Sequence, residues 1–147
     1  MAESVGRLPV RPMSIARHPI QAMILPVPIV CFFGALLTDL AYYCSGGNLL
    51  WLNFSSWLIA AGLLFGALAL LVQLIDLIRS REGLGWVSPL LFVAAWVVEL
   101  INALVHARDG WTAVVPLGLT LSVVAVVLVL VGGWLWQAHR WSGGEAP

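Results

Sequence analysis

The side chains of this chain best suited to proton or ligand chemistry are Asp39, Glu99, Asn102 and His106. Glu99, Asn102 and His106 are spaced i, i+3 and i+7, which puts a carboxyl, an amide and an imidazole on one helical face. Asp39 stands in a different apolar run. An ionisable group in such a run costs about 2.5–3.5 kcal/mol at the centre of a membrane helix, even on a lenient scale. Groups kept at that cost suit a proton relay, a cation site or a redox cofactor. The structural alternative is a hydrogen-bonded network that fixes helix register. Neither reading leaves Glu99 facing lipid. A second polar set comprises His18, Gln21, Gln73 and Asp76, with Gln73 and Asp76 at i, i+3. It reads as an interfacial layer that water can reach, with long side chains snorkelling.

Metal and cofactor chemistry are limited by the histidines. There are three, His18, His106 and His139. A b-type haem between helices takes two histidines at one depth, and only His18 and His139 share a side, so haem b would bind there. No cluster of three or four His or Cys converges as a structural zinc site requires. Cys31 and Cys44 lie 13 residues apart in one run. On one helix that is about 20 Å, too far for a disulfide.

The elements that position these residues follow from composition. Hydrophobic residues make up 61% of the chain and charged ones 10%, against roughly 45–50% and 25% in soluble domains. Seven basic and seven acidic residues cancel, so no net field favours nucleic acid. Four apolar runs, about 20–43, 57–78, 87–105 and 114–136, approach or exceed the roughly 20 residues needed to cross a bilayer. Each must be a helix, because every backbone group in hydrocarbon needs an internal partner. A polar, basic tail over 1–19 precedes them, so the first run reads as a span and not as a cleaved signal peptide. A second tail covers 137–147. Short connections predict an all-α, antiparallel four-helix membrane bundle. Asp39 and Glu99 then lie at similar depth towards one end, with His106 capping the layer and the second polar set at the opposite end.

Arg7, Arg11, Arg17, Arg79, Arg81 and Arg140 fall on one side of this arrangement and only Arg108 on the other. The positive-inside rule places both termini in the cytoplasm. Gly62 and Gly66 form a GxxxG pair, a face for close helix packing within the chain or between copies. Pro26 and Pro28 predict a kink in the first run.

The residues also resemble a family. His18-Pro19-Ile20-Gln21-Ala22-Met23 through Pro28-Ile29, then Gly34-Ala35-Leu36 and Asp39-Leu40, are similar to the opening of the bacterial membrane proteins grouped as domain of unknown function 2231. Ala61-Gly62, Gly66-Ala67 and Ile75-Asp76 continue the likeness. The stretch from Asn102 through Val105-His106-Ala107-Arg108-Asp109-Gly110-Trp111 carries it further, followed by Val115-Pro116-Leu117-Gly118-Leu119 and Gly133-Trp134-Leu135. The family's usual His-Pro-Ile-His-Pro start departs here, where Gln21 and Ala22 replace the second His-Pro. The resemblance implies a four-helix integral membrane protein often found near redox proteins, with no established catalytic activity. It points at His18, Asp39, Asp76, Asn102, His106 and Asp109.

The expected function is that of a non-catalytic accessory or anchoring subunit of a redox or respiratory complex in the bacterial inner membrane. Its partners are then lipid and other membrane subunits or further copies of itself, and no nucleic acid. Two alternatives stand beside it: a haem b- or quinone-binding electron and proton carrier, and an oligomeric channel or transporter. The arginine count generates a direct test. Reporter fusions at Pro147 and within 45–55 should report opposite sides of the membrane, with Pro147 cytoplasmic; the same side for both removes one span.

Overall fold

The computed structural model describes residues 19–79, 87–108 and 114–142. Five helices follow in order: α1 Pro19–Ile24, α2 Pro26–Cys44, α3 Leu49–Arg79, α4 Val87–His106 and α5 Leu119–Ser142. An irregular turn, Val114–Gly118, leads into α5 and holds a cis Val115–Pro116 bond. There is no strand among the described residues. Among the described residues, four stretches are long and apolar enough to cross a membrane: Pro26–Cys44, Leu49–Ile75, Val87–His106 and Val114–Leu135.

Proline divides the first apolar run. The Leu25 N–H still bonds the Gln21 carbonyl at 3.0 Å. Pro26 and Pro28 then bring no N–H to the helical ladder, and α1 gives way to α2 between Ile24 and Pro26.

The turn between α2 and α3 is shorter than the sequence pattern suggests. The N–H groups of Ser45, Gly46 and Gly47 close α2 on the carbonyls of Ala41, Tyr43 and Tyr42. Gly46 and Gly47 have φ of 70° and 94°, a left-handed backbone that glycine adopts without Cβ strain. Asn48 Oδ1 then accepts the Leu50 N–H at 3.0 Å, capping the next helix. With both ends satisfied within four residues, apolar Leu49–Phe54 continues as helix. So α3 starts at Leu49 and not near 57. At the other end α5 runs past 136 to Ser142, just ahead of Gly143-Gly144 in the sequence.

The spans pack in the cycle α2, α3, α4, α5 and back to α2. Pro28 and Cys31 lie against the Gly66 and Gly62 positions, and Asp39 against Ser55, so residue numbers fall along α2 as they rise along α3. The same reversal relates α4 to α5: Ser88 Oγ donates to the Gly132 carbonyl at 2.8 Å, and Asn102 meets Ser122. On α2 the buried positions are Pro28, Phe32, Ala35, Asp39 and Tyr42; on α4 they are Phe92, Ala95, Glu99, Asn102 and Val105. Both rows follow the three-and-four spacing of an inward helical stripe. Asp39, Glu99 and Asn102 thus occupy core positions in an otherwise apolar pattern.

The interior is segregated along its length. Phe32, Ala69, Phe92, Ala95 and Val129 form one apolar cluster. About two turns further along α2, towards the Ser45–Asn48 turn, the interior becomes polar. Gly62 and Gly66 hold the apolar half together by what they lack. A Cβ at Gly62 would stand 2.5 Å from Phe32 Cε1, and one at Gly66 2.7 Å from Trp96 Cδ1. This face is filled by α2 and α4 of the same chain.

Gly62→Leu and Gly66→Leu should each destabilise the protein by about 1–3 kcal/mol, the usual cost of overpacking. Gly133 has nothing within 4 Å of a Cβ position, so Gly133→Leu should melt like the wild type. Thermal melts in detergent distinguish the two groups of variants.

Candidate functional site

Asp39 is the centre of the polar half. Burial of its stripe position on α2 turns the carboxyl between α3, α4 and α5. Ser55 Oγ on α3 donates to Asp39 Oδ1 at 2.5 Å. Ser122 Oγ on α5 donates to Asp39 Oδ2 at 2.6 Å. His106 Nε2, at the end of α4, lies 3.0 Å from Oδ1 and 3.3 Å from Ser55 Oγ. Asp39, Ser55, Glu99, Asn102 and Ser122 are all fully buried, and the His106 side chain is 2% exposed. Each of the four spans supplies at least one member.

Donor and acceptor roles can be assigned from the chemistry of the partners. His106 Nδ1 is 3.0 Å from the Asn102 carbonyl, which only accepts, so Nδ1 carries a hydrogen. Asn102 Nδ2 donates to Ser122 Oγ at 2.8 Å; Ser122 therefore accepts there and spends its own hydrogen on Asp39. With Asp39 ionised, Nε2 also carries a hydrogen and the pair is imidazolium and carboxylate. Moving that hydrogen to Asp39 gives imidazole and carboxylic acid. Either way the pair is neutral overall, which suits a site removed from water.

Glu99 stands one step outside this pair. Asn102 Nδ2 donates to Glu99 Oε2 at 3.1 Å, and Asn102 in turn reaches Asp39 through Ser122. No hydrogen bond joins Glu99 directly to Asp39 or His106. The structure therefore brings Asp39, Asn102 and His106 into one bonded centre and ties Glu99 to it through Asn102. Ser55 and Ser122 escape sequence reasoning. Ser55 falls in what reads as a connection, and a lone serine in an apolar span carries little signal. Their only clue is position, each one helical stripe away from an acid that needs donors.

Of the second polar set, two side chains fall within the described residues. Gln21 on α1 and Gln73 on α3 are half-buried, and no hydrogen bond joins them among the described residues. Asp76 lies in α3 and His139 in α5, but the placement of their side chains, like all of His18 and Asp109, falls outside the described residues. Both ring nitrogens of His106 are engaged, which leaves neither lone pair free for a metal in this arrangement. No group of three His, Cys, Asp or Glu could hold a metal ion among the described residues.

Fold and site together define a multi-pass membrane protein of four apolar spans closed around a buried Asp–His pair. The chain belongs to the family described as "Predicted membrane protein (DUF2231)", which matches residues 17–144. No curated protein and no solved structure matches it.

Removing one partner of a buried pair strands the other. Asp39→Leu should cost about 3–5 kcal/mol, and Ser122→Ala about 1–3 kcal/mol through the stranded Asp39 and Asn102 groups. The Asp39→Leu/His106→Leu double variant should lose less than the sum of the two single variants. Unfolding titrations of the purified protein measure all four; strict additivity would mean that the pair is not coupled.

Proposed function

We propose that the protein is a small accessory subunit of the bacterial inner membrane, both termini cytoplasmic, which handles protons at Asp39–His106 beside a redox or respiratory partner. The observation that carries this reading is the 3.0 Å contact between His106 Nε2 and Asp39 Oδ1 inside four apolar spans. Apolar side chains of similar volume often hold helices together as well as a buried ion pair does, or better. Packing alone therefore gives no reason for an acid and an imidazole here, whereas proton exchange needs both. His106 is the last residue of α4, and Ala107 and Arg108 beyond it are exposed, so the pair sits a short step from the aqueous side. The redox partner comes from the family resemblance alone and is an analogy.

The same bonds support a second reading. Asp39 is hydrogen-bonded to all three other spans, an arrangement suited to locking helix register in a purely anchoring subunit. Infrared difference spectra of the protein in lipid nanodiscs, titrated between about pH 4 and 9, separate the two. Proton handling predicts a carboxyl or imidazole band that changes while the fold persists. Asp39→Asn should remove one part of the carboxyl change, and His106→Gln one part of the ring change, with the signals of the other acids and histidines left in place. Constant protonation of both groups across that range would leave only the lock. An absorption spectrum adds a check on the partner: a colourless protein that co-purifies with larger redox subunits fits the accessory reading, and a Soret band replaces it with haem binding.

A further inference from the structure

Two oxygens at the edge of the centre lack a hydrogen-bond partner. Glu99 Oε1 and Asn102 Oδ1 are buried and unbonded among the described residues, on two residues of 0% exposure. They belong to neighbouring groups, since Asn102 Nδ2 and Glu99 Oε2 are bonded at 3.1 Å. An amide oxygen can only accept, and so can a carboxylate oxygen, so what completes them must donate. Gly118 packs against one of them: a Cβ there would stand 3.4 Å from Asn102 Oδ1 and 3.1 Å from His106 Cε1, so any added side chain would press on both groups.

Asn102 also decides what Glu99 can exchange with. Both hydrogens of its Nδ2 are spent, one on Glu99 Oε2 and one on Ser122 Oγ. A group that donates in both directions cannot accept a proton on one side and release one on the other. Through Asn102, then, Glu99 is bonded to the Asp39 centre without being in proton contact with it.

We propose that Glu99 Oε1 and Asn102 Oδ1 bind an internal water molecule. Water brings two donors to two unmet acceptors, and buried waters typically sit where 2–4 such partners converge. Unlike Asn102, water both donates and accepts, so it gives Glu99 an exchangeable contact. The water site stands on this geometry alone; its use in proton exchange rests on the reading of Asp39–His106 above.

The test is infrared spectroscopy of the protein in nanodiscs, in heavy water with ordinary or isotopically heavy oxygen. Wild type should show an O–D stretch, distinct from bulk, that moves with the oxygen isotope. Glu99→Gln should shift that band. Gly118→Val, whose side chain would press on Asn102 Oδ1, should abolish it, and the milder Gly118→Ala should weaken or shift it should the valine variant fail to fold. Circular dichroism checks each variant for helix content. Absence of the band in wild type, or an identical band in Glu99→Gln and Gly118→Ala, overturns the proposal. So does a melting temperature that rises in sodium over N-methylglucamine with no such band, which assigns the oxygens to a cation. These bands differ from the carboxyl and imidazole bands of the pH titration, so either idea can fail without the other.

Discussion

Hydrocarbon offers no hydrogen bonds, so a polar atom carried into the spans needs a partner within the protein or in water held inside it. The Asp39 carboxyl is where that constraint bears hardest. It is fully buried and draws a hydrogen-bond partner from each of the other three spans. A carboxyl so placed fixes rotation and depth together: turning any one helix by a residue would withdraw its partner. The apolar half of the interior packs by shape, with rings entering the spaces left by Gly62 and Gly66. The polar half is specified by atoms. Both kinds of specification act on the same four helices, about two turns apart.

Much of this was legible in the sequence, and the reasons are physical. Spans announce themselves by length, because the bilayer sets a minimum that few soluble segments reach. The Glu99, Asn102, His106 stripe was readable because helical period and desolvation cost act together on one element. Other features could not be read. The start of α3 at Leu49 depends on two glycines taking left-handed backbone and on Asn48 turning back as a cap. Local pattern treats those same residues as loop. Ser55 and Ser122 were hidden because a hydroxyl is cheap enough in a membrane helix to occur without purpose. Their roles come from the helices opposite them, which one helix's pattern does not contain. The link from Glu99 to the centre through Asn102, and not directly, depends on side-chain reach and not on depth.

The hydrogen-bond directions carry as much meaning as the distances. Asn102 donates, Ser122 accepts and donates, and Asp39 accepts, so that chain has a fixed polarity ending on the carboxyl. His106 approaches the same carboxyl from the other side, with its far nitrogen held by its own helix. Both lines therefore meet on one acid. This is why the proton-handling role proposed above is assigned to Asp39–His106 and not to Glu99, although all three groups are ionisable and buried.

Trp96 illustrates a different kind of join. Its indole N–H donates to the backbone carbonyl of Leu63 at 2.9 Å, while its ring lies over Gly66. Every residue carries a carbonyl, so the side chain at 63 is irrelevant to the bond. The information for this joint is written almost wholly on α4. Exchange of Leu63 for another apolar residue therefore leaves the acceptor of this bond in place. Loss at 96 would remove both bond and ring at once, with no reciprocal change on α3 able to restore them. The α3–α4 seam is thus asymmetric in heredity: one helix encodes the contact and the other only has to be a helix with a glycine in it.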